Sequence, residues 1–240
     1  FCFNNFNLLK LYKKMTSYKI FSKFLIFQTL ILFMGINFLY SDDKNHTICR
    51  IQYSGGGDWY SDPSSIPNLL NYINFNTNIK VHNEEVKISL KDNNIFNYPY
   101  LYMTGHGNVK LTDTEITNLR IHLLDGGFLH VDDNYGLDKS FRREIKKVFP
   151  NKDLIELPFD HPIFKSYFVF KNGLPKIHEH DNKPPKGFGL FDNKRLILFY
   201  TYETDLGDGW EDASVHNNSE FKRNEALKMG VNIFTYSLIQ

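Results

Sequence analysis

At 240 residues the chain is long enough for a sizeable core, and 42% apolar with 23% charged residues excludes global disorder. Five of the 28 basic residues are lysines within residues 1–41, a stretch without acids, so the remainder carries 23 basic against 27 acidic residues, a net of −4. That mildly acidic body excludes nucleic acid as a partner, and two cysteines, Cys2 and Cys49, make neither a zinc site nor a disulfide framework.

Met15 is followed by Lys19 and Lys23, then by the apolar run from Phe24 to Leu39, then by Tyr40-Ser41 and Asp42-Asp43. A basic start, a short apolar centre and a small residue before charge is the secretory-signal pattern. The pattern fits best from Met15, which leaves residues 1–14 as an over-extended start. The other reading is an uncleaved anchor, and membrane contact would then come only through this segment. Gln28 and Asn37 interrupt the run, which is shorter than the roughly 20 residues of a spanning helix. Either way residues 42–240 are expected to work outside the cytoplasm, in the periplasm or cell envelope, as a single α/β domain.

Thr47 to Tyr53 is β-rich and alternating, and predicts a first strand. It runs into Ser54-Gly-Gly-Gly57-Asp58-Trp59-Tyr60. Glycines between a strand and a helix either cradle a phosphate or make a tight turn, and the spacing here is neither the dinucleotide fingerprint nor the P-loop. Ser64 or Ser65 caps a helix with Ile66, Leu69, Leu70 and Ile73 on one face. Glu85 to Leu90 and Tyr98 to Met103 read as strands, the latter ending in Thr104-Gly105-His106-Gly107.

Thr112 and Glu115 have capping-box spacing before a helix that buries Ile116, Leu119, Leu123 and Leu124. Gly126-Gly127-Phe128-Leu129-His130-Val131-Asp132-Asp133-Asn134-Tyr135-Gly136 is then a buried strand opening into polar residues. That is how a strand ends at the ligand crevice of an open α/β sheet. A helix follows from Ser140 to Phe149. Strand and helix in alternation predict a flavodoxin-like parallel sheet with helices on both faces.

The second half is loop-rich. Pro158-Phe159-Asp160-His161-Pro162 is a rigid loop, and an extended Ile177 to Asp181 would put His178 and His180 on one face. Phe188 to Phe191 and Leu196 to Tyr202 pair around Asn193-Lys194. The acidic stretch Glu203 to Asp212 lacks the EF-hand calcium pattern and reads as a solvated turn. Glu220 to Leu238 is a helix with Leu227, Val231, Phe234 and Leu238 on its buried stripe.

Three readings of the polar residues compete. A hydrolase would take Asp133 or His106 as base and His130 or His161 as acid, with Asp132 or Asp133 in the crevice and the other capping the next helix. A divalent metal, the only cofactor indicated, would use His130, Asp132, His178 and His180, since alternate spacing aims two ligands one way. A binding module of the cell envelope would hold a glycan or protein, or a small molecule, on Gly55, Gly56, Gly57, Asp58, Trp59, Tyr135 and Trp210. Against all three stands satisfaction of buried loop backbone.

Ser54 to Tyr60, Thr104 to Gly107, Gly126 to Gly136, Phe159 to Pro162, Ile177 to Asp181 and Asp205 to Asp212 together resemble the bacterial domain-of-unknown-function family 4159. The resemblance covers nearly everything from Thr47 onward. It implies a fold similar to class I glutamine amidotransferases and ThuA-like proteins, with His106 and His130 resembling ThuA-like histidines. Amidotransferases carry a nucleophilic Cys in the turn after the strand matching Phe128 to Val131. Asp132, Asp133 and Asn134 stand there instead, so glutamine hydrolysis through a thioester is not expected.

Overall fold

The computed structural model describes residues 46–240. The expectations for residues 1–41 (signal or anchor, start at Met15, Cys2) lie outside the described residues. Among the described residues no helix is long and apolar enough to cross a membrane.

Seven strands form one sheet: β1 (Cys49–Gln52), β2 (Val86–Ser89), β3 (Tyr100–Met103), β4 (Phe128–Asp132), β5 (Ile155–Glu156), β6 (Lys186–Asp192) and β7 (Arg195–Tyr202), in the order β2-β1-β3-β4-β7-β6-β5. The first five in that order run parallel. This is the flavodoxin-like arrangement, with β7 in the fifth place. The hairpin partner β6 and then β5 extend the sheet by antiparallel pairing.

Helices α1 (Ser65–Asn76), α2 (Asp113–Leu124) and α3 (Asp138–Val148) follow β1, β3 and β4, and α4 (Leu206–Trp210), α5 (Ala213–His216) and α6 (Glu220–Ile239) close the chain. Strand parity divides the core. Tyr100, Tyr102 and Phe128 pack with α1 and α6 residues such as Leu69, Val231 and Phe234. Leu101, Met103, Leu129 and Val131 face α2 and α3 through Leu119, Leu123, Phe141 and Ile145. Period two on β4 therefore sends Phe128, His130 and Asp132 to the α1/α6 side.

The Thr112–Glu115 capping box forms as its spacing predicts. The helix after it is rotated from the expected phase, because Glu115, Leu119, His122 and Leu123 make the buried stripe while Leu124 is exposed. Leu238, near the end of α6, is likewise exposed. Cys49 lies fully buried in β1, where burial first and the Glu85 charge second push its thiol up to about 12. A thiol held there stays protonated.

Candidate functional site

Parallel strands of one sheet deliver their carboxyl ends to one edge, and the order reverses there between β1 and β3, where open α/β sheets place ligands. Two glycine loops meet at that point. Gly57 N–H donates to Asn108 O at 3.0 Å, Asp58 N–H to His106 O at 3.3 Å, and Asn108 Nδ2 to Gly55 O at 2.9 Å. The approach excludes side chains: a Cβ on Gly57 would lie 2.6 Å from His106 O, and one on Gly105 2.8 Å from Asp58 O. The amides of Gly57 and Asp58 are spent on this seam, so the triple glycine is a loop junction rather than a phosphate cradle.

Asp58 holds His106 twice. Its Oδ1 accepts the His106 backbone N–H, and its Oδ2 lies 3.1 Å from Nδ1. The imidazole is about half exposed, so Nε2 is left to solvent. Behind this loop the buried Arg50 pairs with Glu85 at 2.7 Å and donates to the carbonyls of Ser61 at 2.7 Å and Asp62 at 3.0 Å. One guanidinium thus fixes the stretch that presents Asp58 at one end and Asp62 at the other.

Beneath the edge lies a buried polar layer. Asp132 Oδ1 accepts from Thr201 Oγ1 at 2.5 Å and its Oδ2 from Gly207 N–H at 2.7 Å. His130 Nε2 lies 3.1 Å from the same hydroxyl. With its single proton donated to Asp132, the hydroxyl accepts Nε2–H. The hydroxyl thus stands between imidazole and carboxylate, which is not the order of a nucleophilic triad, where the imidazole stands in the middle. Burial lowers His130 to about 3, so the ring is neutral, and raises Asp132 to about 7. Asp62 accepts from Asn134 Nδ2 at 2.7 Å, and burial followed by the charges of Asp208, Glu211 and Asp132 raises it to about 8. Gly207 is required here, because a Cβ on it would lie 2.8 Å from Asp62 Oδ2 and 3.1 Å from the Tyr102 hydroxyl.

Asp133 points to the other face. Its Oδ1 accepts Leu137 N–H at 3.0 Å ahead of α3, and its Oδ2 accepts the Tyr200 hydroxyl at 3.1 Å. Of the two neighbouring carboxylates it is the one that secures the following helix, and Asp132 serves α4 in the same manner. Neither contacts His106.

The stretch Leu174 to His180 is strapped along the end of β7. Ile177 N–H donates to Thr204 O at 2.9 Å, and Lys222 Nζ to Ile177 O at 2.6 Å. Alternate residues then serve alternate acids: His178 Nδ1 lies 2.6 Å from Asp208 Oδ2, and His180 Nε2 lies 2.5 Å from Asp205 Oδ2. Burial, then the charges of Asp132 and Asp208, push Asp205 up to about 9, while burial lowers His180. The His180 ring stacks on Tyr135 at 4.5 Å. His216, at the end of α5, brings Nε2 to 3.5 Å from Asp208 Oδ1. The acidic stretch is therefore not a solvated turn. Leu206 to Trp210 is a buried helical turn, because Gly207 and Gly209 let it close against Asp132 on one side and Ala226 of α6 on the other.

Of the metal set read from sequence, His130 and Asp132 share Thr201, whereas His178 and His180 go to separate acids. Trp210 is fully buried, packs 5.7 Å from Tyr102 and 5.9 Å from His130, and donates Nε1–H to Ala226 O. It is a plug in the core and offers no face to a ligand. Trp59 is half-buried, with Tyr60 edge-on at 5.6 Å and exposed. His161 lies apart, capping the turn Pro162–Lys165 through Ile163 N–H and packing on Phe191 and Tyr236. Phe191 pairs with Leu196 at the start of β7, so His161 belongs to the opposite edge of the sheet.

Arg50, Asp62, Thr201 and Glu211 were not legible as site residues, since each is a common type in an ordinary strand or loop. A usable signal was the run Asp205 to Asn218, which holds four acids, two glycines and His216. Six of the seven non-glycine residues with left-handed backbone among those described, Asp62, Tyr135, Asn182, Glu203, Asp205 and Asn217, fall on this edge. Such conformations cost about 1–3 kcal/mol each and gather at functional sites.

No curated protein matches the chain. A family model described as a domain of unknown function (DUF4159) matches residues 47–238, which takes in the sheet, the Asp58–His106 pair, and the loops of His178 and Asp208. The chain belongs to the DUF4159 family.

Proposed function

We propose that the protein is an exported hydrolase in which His106, held by Asp58, acts as general base on a water molecule. The observation that carries this reading is the double hold of Asp58 on one residue, its carboxylate taking both the backbone N–H and Nδ1 of His106. Accepting at Nδ1 fixes the tautomer whose Nε2 lone pair faces out. The pair stands where the strand order reverses, held in place by two loops whose glycines let their backbones pack together. Water is the nucleophile in this scheme because the described thiol, Cys49, is buried away from it. The ThuA-like and amidotransferase-like kinship belongs to the same proposal and concerns the scaffold only.

The secretory pattern after Met15 supports export and an envelope substrate. Trp59 and Tyr60, directly after Asp58, give that substrate an aromatic wall suited to a glycan or peptide. The test is hydrolysis of chromogenic acyl esters, peptides and envelope glycans by the purified chain, beside H106A and D58N. Proton transfer by a positioned side chain contributes about 10²–10⁴-fold. H106A should lose activity on that scale and D58N less, with thermal unfolding unchanged because His106 is half exposed. Hydrolysis that survives H106A undiminished, or none on any panel member, would refute the assignment. A glycan that binds but is not cleaved would favour a binding module at the same aromatic wall.

A further inference from the structure

We propose that His178, Asp208 and His216 form a site for one divalent transition-metal ion of the zinc class, with three protein ligands. The site is separate from the Asp58–His106 pair and does not depend on it.

The protons around His178 already call for a cation. Asn218 Nδ2 donates to Asp208 O at 3.4 Å, which turns Asn218 Oδ1 toward His178 Nε2 at 3.1 Å. Nε2 must then be the donor, and Nδ1 of a neutral ring presents a lone pair. That lone pair faces Asp208 Oδ2 at 2.6 Å. Lone pair and carboxylate repel at this distance unless a proton or a cation is shared between them. The other ring repeats the situation: His216 Nε2 is buried without a hydrogen-bond partner, 3.5 Å from Asp208 Oδ1. Two imidazoles thus aim one nitrogen each at the two oxygens of one carboxylate.

The spacing fits as well. All three ligand atoms lie within 4.8 Å of one another. Bonds of 2.0–2.1 Å at tetrahedral angles separate ligand atoms by about 3.3 Å. The His216–Asp208 separation, 3.5 Å, is near this value, the His178–Asp208 contact must open by less than about 1 Å, and the two nitrogens, within 4.8 Å of each other, need close by no more than about 1.5 Å. Two neutral imidazoles and a carboxylate suit zinc, iron or manganese, and three protein ligands leave positions free, as in catalytic rather than structural sites. Both imidazole rings are about a quarter exposed, whereas His216 Nε2 and Asp208, where they converge, are buried.

The surrounding charge favours the same occupant. Asp208 acts electrostatically on Asp62, Asp132 and Asp205. The nearby lysines are engaged elsewhere, Lys176 with Glu203 and Lys222 with Ile177 O. A cation at Asp208 would offset that crowding. Asn218, fixing the distal nitrogen of His178, is the outer-shell partner a ligating imidazole needs.

The test uses the untagged full chain, stripped with a chelator and titrated with zinc by calorimetry, and with cobalt(II) by absorption. One equivalent of zinc and a four- or five-coordinate cobalt spectrum are expected. H178A and H216A should each weaken zinc binding more than about 100-fold, and N218A about 10–100-fold, as outer-shell changes do. H180A, whose ring serves Asp205, should bind within about threefold of the parent. D208N, which keeps the shape of the carboxylate, gives a second reading of the same site if an alanine variant fails to fold. No uptake by the parent chain would overturn the proposal. Parent-like binding by both His→Ala variants, or an equal loss in H180A, would overturn it too.

Discussion

Asp132→Asn should flatten the pH dependence of stability. The carboxylate is fully buried, and burial outweighs its bonds from Thr201 and Gly207, raising it from 3.8 to about 7. A raised carboxyl binds its proton more tightly folded than unfolded, so stability is greatest below the unfolded value and falls as pH rises toward the folded one. Every tenfold difference in proton affinity between the two states is worth about 1.4 kcal/mol, so the full fall from this one group is about 4 kcal/mol, of which about 2 kcal/mol lies above roughly pH 5.5. Asn keeps the contacts: its oxygen accepts Gly207 N–H, and its amide donates to Thr201 Oγ1, which turns its proton to Val131 O at 3.1 Å. Removing this charge also relieves Asp205 and Asp62, which adds in the same direction. Urea unfolding of the metal-free protein at about pH 5.5 and pH 8.5 measures the effect. The parent should lose about 2 kcal/mol more than D132N between the two. Equal losses, or a D132N protein less stable than the parent at the higher pH, would refute the placement of a buried, uncompensated carboxyl at 132.

Two further outcomes follow from the same layer. Thr201→Val strands both His130 Nε2 and Asp132 Oδ1, and orphaned buried groups cost about 1–3 kcal/mol each; urea unfolding should show a loss of at least about 2 kcal/mol, while Thr201→Ser should stay near the parent. Arg50→Met leaves Glu85 without its buried partner and frees the carbonyls of Ser61 and Asp62. It should cost about 3–5 kcal/mol and speed amide exchange in residues 58–62 ahead of β4, a pattern that uniform exchange would contradict.

Much of the sheet was legible because its signals are local. Alternation in Thr47 to Tyr53, the capping box at Thr112 and the apolar run Phe128 to Val131 each declare an element within a few residues. The edge was legible as a place for the same reason, since His106 and Asp132 end adjacent parallel strands. Its internal partition was not. Whether Asp132 meets His106 or Thr201 depends on the face it takes and on a residue 69 positions away. His178 was readable as a ligand type, but its partners Asp208 and His216 are chosen by the strapping of Ile177 to Thr204, which no periodicity announces. His161 was misplaced because its proline-bracketed loop gives no sign of which end of the sheet it joins. Trp210 sits between glycines like a loop residue, yet those glycines exist to let its helical turn sink.

The hairpin that carries the sheet past β7 also decides how this protein can meet others. With β6 and β5 added, the outermost strands among the described residues are β2, of four residues, and β5, of two. Neither offers a row of unpaired amides long enough to template a foreign strand. Two such short margins disfavour self-assembly by strand addition among the described residues.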